Sequence, residues 1–235
     1  MKHLDLFSGI GGFALAARWA GIETVAFCEI EEFPRKVLQK NFPSVPIHHD
    51  IRKLDGSEYE GIDIITGGFP CQPFSVAGNQ GGEKDDRYLW PQMLKIITQA
   101  RPTWIVAENV AGIIPMALDK VLADLEGENY STRPVIIPAC AKNAPHRRDR
   151  VWIIAHNRSE RVDRDSKNKV QGKSKIQGSK DVGRVKTVRD MQAIHAPRLC
   201  GSGDGIPDRV DRLKGLGNAI VPQVAYEILR CLKAH

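Results

Sequence analysis

The sequence predicts a doubly wound α/β domain, built on a mixed, mostly parallel sheet and carrying one small basic insertion. Three observations predict it. Short β-rich runs alternate with helical runs through the first 155 residues, the rhythm of parallel strands joined by crossover helices on both faces of a sheet. Aromatic residues then vanish, with no Phe, Tyr or Trp between Trp152 and Tyr226. Charge gathers in the same stretch: residues 156–200 hold twelve Lys/Arg against five Asp/Glu, a net of +7 that leaves −1 for the other 190 residues.

The elements follow in chain order. HLDLF (3–7) alternates toward a strand, and the apolar spacing from Phe13 to Trp19 predicts a helix. TVAFCEI (24–30) is the second strand, followed by a helix over 31–40. A short β-like run precedes His49-Asp50-Ile51, and IDIIT (62–66) is the next clear strand. RYLWPQMLKIITQA (87–100) reads as a helix broken or started near Pro91. TWIVAEN (103–109) is a strand and MALDKVLADLE (116–126) a helix; RPVIIPA (133–139) and RVWIIAH (150–156) are two more strands. The polar, glycine-punctuated run KNKVQGKSKIQGSKDVGRVK (167–186), with its near-repeat VQGKSKIQGSK, cannot bury much apolar surface by itself. Helical spacing returns in NAIVPQVAYEILRCLKAH (218–235), which can pack a closing helix onto the sheet. The expected organisation is a cofactor-binding catalytic domain from 1–155 and 206–235, interrupted by a basic segment at 156–205.

Composition narrows the function classes. A chain of 235 residues, 42% hydrophobic, suits one large domain with an insertion. No apolar run reaches the roughly eighteen residues of a membrane span, and MKHLDLFSG reads directly as a strand, so a cytoplasmic protein is expected. Cysteines 28, 71, 140, 200 and 231 are scattered, with no C-x-x-C. That pattern argues for reduced thiols, against a disulfide framework and against a metal site. A concentrated basic segment is the electrostatic footprint of a polyanion such as nucleic acid, and also the composition of a solvated, disordered run.

DLFSGIGGFALA (5–16) is strand, glycine turn and helix: Gly9, Gly11 and Ala14 fit G-x-G-x-x-G/A, the Rossmann-like turn that lets a backbone approach a nucleotide. Glu29 lies twenty residues after Gly9, where an acid accepts from ribose hydroxyls, and Asp50 adds a second acid at the same edge. No cation in the loop answers a phosphate, so S-adenosylmethionine is expected rather than NAD. GGFPCQPFS (67–75) then brings Cys71 to that edge between two prolines, which stiffen the loop around the thiol. Glu108 ends the next strand, and Arg148 and Arg150 enter a later one two residues apart, on one face. A thiol, a carboxyl and two guanidiniums at strand ends suit attack on a polar ring.

DLFSGIGGF, GGFPCQPFS, ENV, RRDRV and GNAIVPQVA occur in the order found in the C5-cytosine DNA methyltransferases, and the chain resembles that family over residues 3–155 and 206–235. The resemblance implies the S-adenosylmethionine-dependent methyltransferase fold and methyl transfer to C5 of a flipped cytosine in double-stranded DNA. It implies Cys71 as the nucleophile on C6, Glu108 at N3 and the exocyclic amine, Arg150 at O2, and Arg148 in support. Cofactor contacts carry over to Phe7, Ser8, Gly9, Gly11, Gly12, Glu29, Ile30, Asp50, Ile51, Pro70, Asn218 and Ala219. A monomer is expected, in a bacterial cell or phage-infected host, with a cognate restriction endonuclease as partner. The chain departs from the family at His146, where glutamine is usual, and in a recognition region at about 156–205 that is far shorter than the family norm. DRVDRL (208–213) is the nearest match to the arginine-rich block before the last motif. The alternatives are the same chemistry on RNA cytosine and a catalytically weak nucleic-acid-binding relative.

Overall fold

In the computed structural model of this chain, residues 1–70, 88–138, 149–159 and 219–234 are described. Cys71, Arg148, Asn218 and the basic segment from residue 160 onward, with DRVDRL beyond it, lie outside the described residues. Seven strands form one sheet: β1 (Lys2–Leu6), β2 (Glu23–Cys28), β3 (Ile47–His48), β4 (Ile64–Gly67), β5 (Trp104–Val110), β6 (Tyr130–Pro138) and β7 (Asp149–Asn157). Their order is β3-β2-β1-β4-β5-β7-β6, with five parallel strands and β7 antiparallel to both β5 and β6.

Among the described residues five α-helices cover the sheet: α1 (Gly12–Trp19), α2 (Glu32–Asn41), α3 (Trp90–Ala100), α4 (Asp119–Gly127) and α5 (Pro222–Lys233). Strand alternation sorts the core into two layers. Leu4, Leu6, Ala26, Ile65, Ile105, Ala107 and Ile153 pack against Met93, Ile96, Ile97, Val121 and Leu125 of α3 and α4. On the opposite face Ile64, Val106 and Trp152 meet Phe13 and Ala17 of α1 and Val224 and Leu229 of α5, while Phe27 meets Leu38 of α2. The sheet is therefore doubly wound. Among the described residues no helix is long and apolar enough to cross a membrane.

Local chemistry explains where several elements begin. Pro91 sits in the first turn of α3, where its missing N–H costs nothing, so it starts the helix instead of breaking it. Trp90 beside it is fully buried, and its Nε1 donates to Asp124 Oδ2 at 2.8 Å, tying α3 to α4. The predicted strand at 133–139 begins earlier, at Tyr130, whose hydroxyl donates to Pro102 O at 2.9 Å. The predicted helix at 116–126 is a π-helical turn over Ile114–Leu118 followed by α4. Strand β2 stops at Cys28, two residues short of the predicted end, although Glu29 N still donates to His48 O of β3 at 2.9 Å. The closing helix docks as predicted: Lys233 Nζ donates to Ala20 O and Gly21 O, both at 2.9 Å, placing a cation on the carbonyl end of α1.

A polar chain crosses the face of the sheet beneath α1. Thr66 Oγ1 donates to Asp5 Oδ1 at 2.9 Å and lies 2.7 Å from His3 Nε2; His3 Nδ1 lies 3.0 Å from Thr24 Oγ1. The Thr66 proton is committed to Asp5, so His3 Nε2 donates to Thr66, and Thr24 donates to Nδ1. Burial lowers the His3 pKa to about 3, and burial foremost raises that of Asp5 well above the usual carboxylate range.

These shifts have opposite consequences for stability. Below pH 6.5 the unfolded chain protonates His3 and the folded chain does not until about 3, so the imidazole's contribution is lost as pH falls. The folded Asp5 keeps its proton above 3.8, where the unfolded chain releases it, so that side chain's contribution is lost as pH rises. Between those values the two slopes oppose each other. Asp5→Asn removes one of them. Relative to wild type, its stability is expected to fall by about 1.4 kcal/mol per pH unit on acidification below the His pKa. Urea unfolding at successive pH values checks this; parallel wild-type and mutant profiles would refute it.

Candidate active site

The parallel strands β1, β2, β3, β4 and β5 all end at the same edge of the sheet, and the loops leaving them build the site. After β1 the chain turns sharply: Phe7, Gly9 and Gly11 all have positive φ, at 54°, 53° and 88°. At Gly11 a Cβ would also sit 2.9 Å from Leu38 Cδ2, so only glycine fits the entry to α1. At Gly9 the same atom would meet nothing within 4 Å, leaving open space over the turn. Gly12 admits the closing segment, since a Cβ there would lie 2.6 Å from Ile220 Cγ1, next to Ala219.

Glu29 braces this loop. Its Oε2 accepts from Gly9 N at 2.7 Å and its Oε1 from Glu31 N at 2.8 Å. Burial raises its pKa, against the two backbone N–H groups that lower it. A carboxylate offers about four acceptor positions, so two bonds leave capacity for hydroxyls of a sugar. Ser8, also buried, donates to Asp5 O at 2.7 Å and accepts from Cys28 N at 3.3 Å, stitching the turn to β2. Ile30 is 58% exposed beside Glu29, an apolar surface for a flat ring. Arg35 reaches this corner, but its guanidinium donates to the carbonyls of Glu29 and Ile30, not into the glycine turn. Asp50 accepts from Arg52 N at 3.0 Å in a turn after β3, while Ile51 is buried in the core. These residues fit a nucleoside without phosphate: acids for hydroxyls, an open glycine turn and, among the described residues, no cation aimed into it.

The second half of the site lies across β4, β5 and β7. Glu108 falls within β5, two residues before the strand's end at Val110 and not at its end as predicted, because β7 extends the pairing to Val110↔Arg150. Glu108 is buried, and Arg150 Nε lies 2.8 Å from its Oε1. Arg150 Nη1 also donates to Asp149 O at 3.0 Å. The other Glu108 oxygen faces the loop after β4, where a Cβ on Gly68 would come within 3.5 Å of Oε2. Glycine at 68 keeps the carboxyl close to the chain that leads through Pro70 to Cys71.

Asn109 is a residue whose importance sequence reasoning missed, although it lies in the quoted ENV. It is buried, its Nδ2 donates to Phe69 O at 2.9 Å, and its Oδ1 accepts from Val110 N at 2.9 Å. The amide thus clamps the loop two residues before Cys71. Asn109→Ala strands a buried carbonyl and is expected to cost about 1–3 kcal/mol; an unchanged urea midpoint would show the clamp to be dispensable. Cys28 stands at the same sheet edge but is chemically unlike a nucleophile. It is buried, and desolvation, then the charges of Glu29, Asp50 and Asp5, push its thiol up to about 12.

The family model for C-5 cytosine-specific DNA methylase matches residues 1–199. The type II methyltransferase M.DsaV of Dactylococcopsis salina is 34% identical over 173 residues, covering 72% of this chain and 48% of that protein. M2.BsuMI of Bacillus subtilis, another type II methyltransferase, is 34% identical over 164 residues, 66% of this chain and 42% of its own. The chain thus spans about half the length, or less, of these curated relatives. A solved structure described as a DNA modification methyltransferase encoded within an Escherichia coli prophage superposes with a TM-score of 0.58 at 27% identity, covering 68% of this chain and 48% of that one.

Proposed function

This chain belongs to the C-5 cytosine-specific DNA methylase family, and from that premise we propose that it methylates C5 of cytosine in double-stranded DNA, using S-adenosylmethionine. The observation that carries the reading is the pairing of buried Glu108 with half-buried Arg150, 2.8 Å apart, on the sheet edge shared by the glycine turn and the loop that leads to Cys71.

Phe7, Ser8, Gly9, Gly11, Gly12, Glu29, Ile30, Asp50, Ile51 and Pro70 would hold the cofactor, with Asn218 and Ala219 from the closing segment. When bound, S-adenosylmethionine supplies an electrophilic methyl group. The chain's own residues make the base receptive. Cytosine C5 is too poor a nucleophile to react unaided. The Cys71 thiolate adds to C6, forming a C–S bond and pushing the ring's electron pair toward C5. Glu108, protonated when the base docks, donates to N3 as density arrives there and accepts from the exocyclic amine through its other oxygen. Arg150 holds O2 and balances the Glu108 charge, with Arg148 in support. Once C5 is methylated, loss of its proton restores the double bond and expels the thiolate.

C6 is shielded inside a stacked duplex, so the base must leave the helix at a cost of a few kcal/mol. Contacts of the basic segment with the phosphate backbone would offset that cost. A monomeric, cytoplasmic enzyme paired with a restriction endonuclease belongs to the same proposal. Transfer of labelled methyl from S-adenosylmethionine into duplex DNA, followed by bisulfite sequencing, tests it. Label entering RNA alone would replace DNA as the substrate. Label in neither, with both nucleic acids bound, would leave the catalytically weak binding protein.

A further inference from the structure

We propose that Thr66 is a positioning residue whose single hydroxyl, shared between the His3 imidazole and the Asp5 carboxyl, locks the strand feeding the Cys71 loop to the strand feeding the glycine turn. The proposal rests on the methyl-transfer reading for its meaning, because only there must the two loops hold a common geometry.

The placement comes from the register. Asp5 pairs with Thr66 across β1 and β4, and His3 with Thr24 across β1 and β2. All three strands therefore turn these side chains to the face under α1, where Ile64, Val106 and Phe13 make the surroundings apolar. His3, Asp5 and Thr66 are each fully buried. Buried polar groups tolerate little misalignment, because an unmade bond there costs the full desolvation of the group. The backbone ladder joins neighbouring strands pairwise. The side-chain chain adds a cross-tie over three strands, running from the His3–Thr24 level to the Asp5–Thr66 level.

The Asp5–Thr66 level is one pair, Leu6–Gly67, short of where the sheet gives way to the site. Thr66 is followed by Gly67, Gly68, Phe69 and Pro70, and Asp5 by Leu6 and the positive-φ Phe7. The Asp5 carbonyl accepts from the Ser8 hydroxyl, tying the same residue into the turn. A shift of β4 against β1 would displace the nucleophile loop relative to the cofactor turn. Glycines at 67 and 68 offer no side chains to resist it, so the restraint falls to the residue just before them. Catalysis is sensitive to such displacement: a misplacement of about 1 Å costs on the order of a hundredfold.

Amide hydrogen exchange of the unliganded chain tests this, comparing wild type with Thr66→Val, which keeps the shape and loses the hydroxyl, and Thr66→Ser, which keeps the hydroxyl. The valine variant is expected to exchange several-fold faster, up to about tenfold, in peptides covering both 7–11 and 67–70. Peptides of α4 and β6 should be unchanged, and serine should restore the wild-type rates. Faster exchange spread evenly over the sheet, or confined to one loop, or absent, would overturn the positioning role. Should Thr66→Val not fold, His3→Phe removes the imidazole from the same hydroxyl and carries the same comparison. Titration with S-adenosylmethionine separates the two claims. Wild type that fails to bind it refutes the methyl-transfer reading, while the exchange pattern still decides whether Thr66 ties the loops.

Discussion

Cys71→Ser is expected to lower methyl transfer by at least about ten-thousandfold while leaving S-adenosylmethionine affinity within about threefold. A serine hydroxyl is scarcely ionised at neutral pH and is a far weaker nucleophile than a thiolate, so the addition to C6 is lost at its first step. The nearby thiol cannot take over. Cys28 is buried at the end of β2, beside acids that hold its proton, with a pKa of about 12. Cofactor binding should survive because its proposed ligands lie on the turn after β1 and the ends of β2 and β3, braced by bonds such as Gly9 N to Glu29 that the substitution does not touch. Duplex DNA containing 5-fluorocytosine gives an independent measure. Fluorine at C5 cannot depart as a proton would, so wild type with S-adenosylmethionine should yield an adduct that survives denaturation, and Cys71→Ser should yield none. A serine variant that still methylates would remove Cys71 from the mechanism.

The fold was legible wherever a run of residues commits to one periodicity. HLDLF and TWIVAEN each gave a strand within one residue of its observed place and IDIIT within two, because alternation in a buried sheet leaves little choice of register. Element starts were harder to read. Tyr130-Ser131-Thr132 carries no hydrophobic signal of a strand, yet tertiary contacts of Tyr130 extend β6 through it. The residues of the proposed chemistry were legible because glycine, proline, cysteine and paired arginines are costly choices at turns and strand ends. Asn109 and Thr66 were not, since a buried asparagine and a buried threonine look ordinary until their partners, Phe69 O and the pair His3 and Asp5, arrive from other strands. Histidine and aspartate at alternate positions of an otherwise apolar first strand were the one available hint. Those side chains face the same way, so each needs a polar partner on a neighbouring strand.

The Glu108–Arg150 pair should behave as one unit, and a double-mutant cycle measures whether it does. Glu108→Gln keeps the shape and removes the acid, and is expected to cost about a hundred- to ten-thousandfold in rate. Arg150→Ala withdraws a guanidinium from 2.8 Å beside a carboxyl that is only 8% exposed. Breaking such a pair from one side costs about 3–5 kcal/mol of stability, most of it the penalty on the charge left behind. With glutamine at 108 there is no such charge, so Arg150→Ala should then cost far less stability, and the rate of the double variant should lie near that of the slower single one. Multiplying rate losses would mean that Arg150 acts on the base alone and that its contact with Glu108 is incidental. The stability of Glu108→Gln is equally informative. Glutamine still accepts from Arg150, and the guanidinium it leaves without a counter-charge is 19% exposed, so Glu108→Gln is expected to cost about 1–2 kcal/mol, well short of a fully buried charge left unpaired. A variant that loses no more stability than this but is nearly inactive would show that the carboxyl is held there for chemistry and not for the fold. One that unfolds early would assign the pair to holding β5 against β7.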